Sequence, residues 1–191
     1  TRHKIYNSLK RNSSMVKKLP ILGICAAGSN SGKTTLLEKL LAELNRRNIR
    51  VSVIKHAHHK FDIDHPGKDS YRIREAGAVQ TLVASAKRWA LMTETQRTPN
   101  HDDEANLDEL LATLNPDYAD LILVEGFKSA NIPKIEVHRP QLGMPLLCMS
   151  DKRIIAVASD HALKEKVETP ILDLNNPQQI TDFIVRALDL K

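Results

Sequence analysis

The run Ala27-Gly28-Ser29-Asn30-Ser31-Gly32-Lys33-Thr34-Thr35 holds the residues whose types and spacing could do chemistry. Small residues let successive backbone N–H groups turn inward around a phosphate, and a helix opening at the end of the run adds positive dipole. In the pattern G-x-x-x-x-G-K-[ST], a lysine placed as Lys33 reaches β- and γ-phosphate oxygens, and a hydroxyl placed as Thr34 ligates Mg²⁺. Ala27 stands where the first glycine is expected; alanine is nearly as compact, and Gly28 lies beside it. The bland alternative is a Gly/Ser-rich turn carrying an exposed lysine.

Three further places offer polar chemistry. Asp120 to Phe127 reads D-L-I-L-V-E-G-F, an apolar strand that ends on one acid, as a Walker B element does. Glu125 would then serve the Mg²⁺ shell or the attacking water, with Gly126 letting backbone approach the γ-phosphate; any strand ending in a polar turn reads similarly. The guanine-holding [NT]-K-x-D motif is absent. Asp160, after Ala158-Ser159, is the substitute: its carboxylate could accept from guanine N1–H and N2–H₂, or could cap a helix starting near His161.

Between these lies Lys55 to Glu75, with His56, His58 and His59 close together and Asp62, Asp64 and His65 shortly after. Imidazoles suit Zn²⁺ or Ni²⁺, yet no cysteine joins them and no i, i+4 pair sets two on one helical face. A solvent-lined switch loop is the competing reading. Asp64-His65-Pro66-Gly67 spells D-x-x-G, which makes Asp64 a further candidate for the metal shell. It follows the second strand, however, and reads as a turn into a helix capped near Asp69 or Ser70. Arg72 and Arg74 on that helix are candidates for phosphate or acid contacts, or simply solvated.

These residues need elements to position them. The apolar run Leu19 to Ala26 predicts a strand, and Leu36, Leu37, Leu40, Leu41 and Leu44 recur at the spacing of an amphipathic helix. Glu38, Lys39, Glu43 and Arg46 fall on its other side, with Asn48 as a left-handed cap. Arg50 to Lys55 reads as the next strand, so a βαβ unit and a parallel sheet follow. Val79–Ala84 and Trp89–Thr93 predict two short strands around Ser85 to Arg88, and Leu107–Leu114 a helix. Pro133–His138 predicts a half-buried strand with Ile135 and Val137 inward. Ile154–Ala158 reads as a buried strand, Ile171-Leu172 as a last short one, and residues 180–188 as a closing amphipathic helix. The fold class is α/β: a P-loop nucleoside triphosphatase with a mostly parallel sheet flanked by helices.

Composition sets bounds. With 191 residues, 41% hydrophobic and 27% charged, the chain can bury a sizeable core and reads as one globule without repeats. The net charge of +5 is local: residues 1–18 carry six basic residues and no acid, leaving the rest near −1. A nearly neutral body offers no field for tracking phosphate backbones, which argues against nucleic acid as partner. The leader 1–18 reads as a basic, disordered appendage with a start at Met15, and 19–191 as the nucleotide-binding domain; a basic targeting helix fails for want of an apolar face. No stretch is apolar enough to span a membrane. Cys25 and Cys148 form no disulfide framework or metal pair, and Cys25 reads as a core residue; a cytoplasmic location is the default.

The chain resembles the MobB family of molybdopterin-guanine dinucleotide biosynthesis adapters. The likeness rests on S-G-K-T-T-L-L at 31–37, I-K-H-A-H-H at 54–59, D-x-D-x-P-G-K-D-S-Y at 62–71 and A-G-A-x-Q-T-x-V-A-S at 76–85. It continues through R-W-A-L-M-T-E-T at 88–95, L-I-L-V-E-G-F-K at 121–128 and I-A-V-A-S-D at 155–160. Segments 96–104 and 139–150 depart from the family and read as surface insertions. The resemblance implies GTP binding with Mg²⁺, weak GTPase activity, a homodimer, and partnership with the guanylyltransferase that joins GMP to molybdopterin. A small-molecule kinase is the alternative of another class, although no Arg-rich lid is evident; a metal-inserting GTPase would need the histidines to bind metal.

Overall fold

Residues 18–57, 61–99 and 104–190 are described by a computed structural model. Along the chain run β1 (Ile21–Cys25), α1 (Lys33–Arg46), β2 (Val51–Lys55), α2 (Asp69–Glu75), β3 (Gln80–Ala84), β4 (Trp89–Thr93) and α3 (Leu107–Thr113). Then come β5 (Leu121–Glu125), β6 (Lys134–His138), β7 (Ile154–Ser159), β8 (Ile171–Asp173) and α4 (Pro177–Ala187). The described residues divide into two compact units, one within 18–54 and 114–190, the other within 55–113.

The first unit carries a six-stranded sheet in the order β2-β5-β1-β6-β7-β8. β1 pairs in parallel with β5 and β6, β6 with β7, and β7 with β8. Phosphate-loop chemistry depends on this order, because β1 is central and the loop after it emerges between the ends of β5 and β6. Leu36, Leu37, Leu40 and Leu44 of α1 join Leu22, Ile24, Leu121, Leu123, Ile135 and Val137 in one core, closed by Ile180 and Ile184 of α4. α1 ends as its sequence predicts: Asn48 takes φ 60°, while Asn48 N and Ile49 N donate to Asn45 O and Leu44 O at 3.0 Å each.

Several expectations change. β6 is not half-buried: all five residues are buried, because it lies between β1 and β7 with both faces covered. Glu43 is not on the solvent side of α1; α4 packs there, and the carboxylate bonds Arg46 at 2.7 Å and Gln178 at 3.2 Å. No helix starts near His161, so Asp160 caps nothing. Residues 139–150 are more than a surface insertion, since Leu146 is buried and the N–H groups of Leu147 and Cys148 bind the buried Glu136 at 2.8 and 2.9 Å.

In the second unit β3 and β4 form an antiparallel hairpin, with Leu82 opposite Leu91 and Ala84 opposite Trp89. Arg74 of α2 is not solvated. Its guanidinium is largely buried, 2.9 Å from Asp62 and 3.4 Å from Glu94, with the Tyr71 ring 5.0 Å away. The basic leader 1–17, His58 and His59, and residues 100–103 lie outside the described residues. Among the described residues no group of His, Cys, Asp or Glu is arranged to hold a metal ion, and no helix is long and apolar enough to cross a membrane.

Candidate functional site

The loop from Ala27 to Thr35 joins β1 to α1, as its spacing predicts. Its turn needs two left-handed residues, Asn30 at φ 56° and Gly32 at φ 94°. Asparagine and glycine tolerate that region best. Gly32 also occupies the N-cap of α1 without a side-chain cap hydrogen bond, and the first turn holds no acid. The positive end of a 14-residue helix therefore carries no carboxylate of its own in that turn.

Lys33 folds back across this loop, its Nζ donating to Gly28 O at 3.0 Å and to Ser31 Oγ at 3.3 Å. Thr34 donates its hydroxyl to Glu125 Oε1 at 2.9 Å, so two residues 91 positions apart meet at the mouth of the loop. Glu125 is buried at the C-terminal end of β5, paired to β1 through Ile24. Gly126 turns the chain away from it at φ 101°. Ser29 and Asn30 are exposed at the loop tip and Ser31 is buried beneath it; Thr35 follows Thr34 on the first turn of α1.

Two basic residues absent from the sequence expectations grip the loop from outside. Lys128 Nζ donates to Ala27 O at 2.9 Å. Arg139, immediately after β6, donates from Nε to Ser31 O at 3.0 Å, and a Cβ on Gly32 would lie 3.2 Å from its Nη2. Asp160 does not stand open: its carboxylate receives Arg139 Nη1 at 2.5 Å and lies 3.1 Å from His161 Nδ1. Burial opposes ionisation of Asp160, yet the His161 hydrogen bond and the Arg139 charge outweigh it and hold the carboxyl below its ordinary range.

Lys134 supports the turn that carries Lys128. It is almost wholly buried, with Nζ bonded to Lys128 O at 2.9 Å, Ala130 O at 2.8 Å and Asp151 at 2.8 Å. Gly23 makes room for it, since a Cβ there would lie 2.6 Å from Lys134 Cγ. The signal for Lys134 and Glu136 was present in P-K-I-E-V-H at 133–138: charges alternating along a strand between buried strands must be partnered. Cys25 has no part in the site. Burial pushes its thiol up to about 12, with Glu136 adding to the effect, as befits an inert core residue. Asp64 belongs to the second unit, where it is buried and its Oδ1 accepts from Ser70 Oγ at 2.9 Å. The cap expected near Asp69 or Ser70 is displaced: Lys68 is the N-cap of α2 and makes no side-chain cap hydrogen bond, while Asp69 and Ser70 lie within the first turn.

The model of the family described as MobB, molybdopterin guanine dinucleotide synthesis protein B, matches residues 21–160. A molybdopterin-guanine dinucleotide biosynthesis adapter protein from Haemophilus influenzae is 46% identical over 170 residues, 89% of this chain and 90% of that one. The adapter protein of the same description from Escherichia coli is 47% identical over 168 residues, 87% of this chain and 92% of that one. A crystal structure of molybdopterin-guanine biosynthesis protein B superposes with a TM-score of 0.65 at 26% identity, covering 88% of this chain and 99% of the other.

Proposed function

The chain belongs to the molybdopterin guanine dinucleotide synthesis protein B family, and from that premise we propose that it is a GTP-binding adapter in molybdopterin guanine dinucleotide biosynthesis. The observation that carries the reading is the loop itself: a β1–α1 turn opening a helix with no acid in its first turn, crossed by Lys33 and closed by the Thr34–Glu125 bond. Gly28, Ser29, Asn30, Ser31, Gly32, Lys33, Thr34 and Thr35 hold the phosphates.

Thr34 and Glu125 are hard oxygen donors beside the phosphate position, the donor set that suits Mg²⁺. Mg²⁺ bound there with the nucleotide would offset charge on the β- and γ-phosphates. Glu125 orients water, so GTP is hydrolysed slowly. Asp64 is the reserve candidate for the acid. The protein acts as a homodimer that assists the guanylyltransferase, in the cytoplasm; exposed Leu82, Leu91 and Trp89 on the hairpin support self-association.

The test is reconstitution. The chain, with GTP and Mg²⁺, should bind the guanylyltransferase and speed conversion of molybdopterin to its guanine dinucleotide, and light scattering should give a dimer mass. GTP consumption that follows instead the addition of a small phosphoryl acceptor, with no effect on the guanylyltransferase, would replace the adapter by a kinase.

A further inference from the structure

Arg139 sits where the phosphate loop is made, not where a substrate is held. Its Nε takes the Ser31 carbonyl at 3.0 Å, and its Nη1 is fixed by Asp160, a buried carboxylate also lying against His161. The carbonyl of Ser31 and the N–H of Gly32 belong to one planar trans peptide and point in opposite directions. Drawing the carbonyl toward Arg139 therefore turns the Gly32 N–H the other way, toward the interior of the loop. Gly32 is suited to this in two respects. Its φ of 94° is left-handed, and a side chain would press on the guanidinium at 3.2 Å.

We infer that Arg139 is a positioning residue which, held by Asp160, presets the Ser31–Gly32 peptide so that its N–H faces the phosphates. The inference rests on the nucleotide-binding reading and assigns Asp160 to loop geometry through Arg139 instead of to the guanine edge. Preorganised donors raise affinity without any contact between Arg139 and ligand, because the loop need not be ordered on binding. The effect is on phosphate, so it must be the same for every base.

The experiment is a calorimetric titration of the full chain with GTP, GDP, ATP and XTP in Mg²⁺, using wild type, Arg139→Ala, Arg139→Lys, Asp160→Asn and the Arg139→Ala/Asp160→Asn double variant. Arg139→Ala should weaken GTP and GDP by about tenfold, the loss of one charge-assisted hydrogen bond. Arg139→Lys recovers part of the loss, since one ammonium replaces the fork. Asp160→Asn should weaken all bases by a common factor, and the double variant should lose no more than Arg139→Ala alone, as partners in one chain of contacts do. Melting temperatures identify any variant that fails to fold, and the double variant relieves the unpaired buried acid that Arg139→Ala leaves. An Arg139→Ala protein that is folded and binds as wild type overturns the inference while leaving nucleotide binding intact. A switch of Asp160→Asn from GTP to XTP overturns it also, because an amide at the base edge favours the carbonyl at C2 of xanthine. No binding by wild type overturns both readings.

Discussion

Thr34 and Glu125 meet through a hydrogen bond of 2.9 Å, and substitution of the acid separates its two roles. Substituting Glu125 by glutamine keeps the shape of the site and removes the charge that polarises water. GTP binding by Glu125→Gln should stay within a few-fold of wild type, while hydrolysis falls by about 10²–10⁴-fold, the usual contribution of a positioned base. Single-turnover measurement at saturating GTP checks this, and an unchanged rate would make Glu125 the end of a core strand and send the search to Asp64. At this scale the loop was legible because a turn of the proposed kind demands particular residue types: small residues to turn, lysine and threonine at fixed places after them. Arg139 and Lys128 were not legible, because they act on backbone carbonyls. A carbonyl is present at every position and leaves no trace in the residue type it belongs to.

Strand β6 shows what a single element contributes. Its inward face, Ile135 and Val137, fills the core, while Lys134 and Glu136 on the opposite face bind carbonyls and amides of two neighbouring segments. Lys134→Ala leaves Asp151 without its buried partner and frees the turn after β5, and should cost about 3–5 kcal/mol of unfolding free energy. Lys134→Met keeps the packing over Gly23 and should cost less; denaturant titration of both compares them. Acid adds an independent check. The hydrogen bond from Arg153, and after it that from Lys134, overcomes burial and holds the Asp151 carboxyl well below its ordinary range. A depressed carboxylate stabilises the fold above its unfolded value near 3.9 and loses that contribution as pH falls toward the folded value. The stability gap between wild type and Asp151→Asn should therefore narrow below about pH 4. Hydrophobic periodicity had located β6, and it located every strand and long helix of the first unit to within three residues at either end. What it misjudged was burial, since a strand with charges at alternate positions looks half-exposed until its second neighbour is known.

Over the whole molecule, the sheet order is what turns separate motifs into one site. Setting β1 between β5 and β6 brings Glu125, Lys128 and Arg139 to the same loop from two sides, although 91 to 108 residues of sequence separate them from their partners there. Strand order was beyond the sequence reading, which has no term for which strands lie side by side. The division at residues 54–55 and 113–114 was equally silent, as no Gly-, Pro- or Ser-rich linker marks it. The proposed function turns on one event, the binding of GTP by the loop after β1. Calorimetric titration of the protein with GTP in Mg²⁺, beside Lys33→Ala at equal concentration, measures that event. Wild type should bind one GTP per chain saturably and Lys33→Ala none detectably, with the two proteins melting at the same temperature because the Lys33 ammonium bonds the loop and not the core. Equal affinity in the two folded proteins would contradict it.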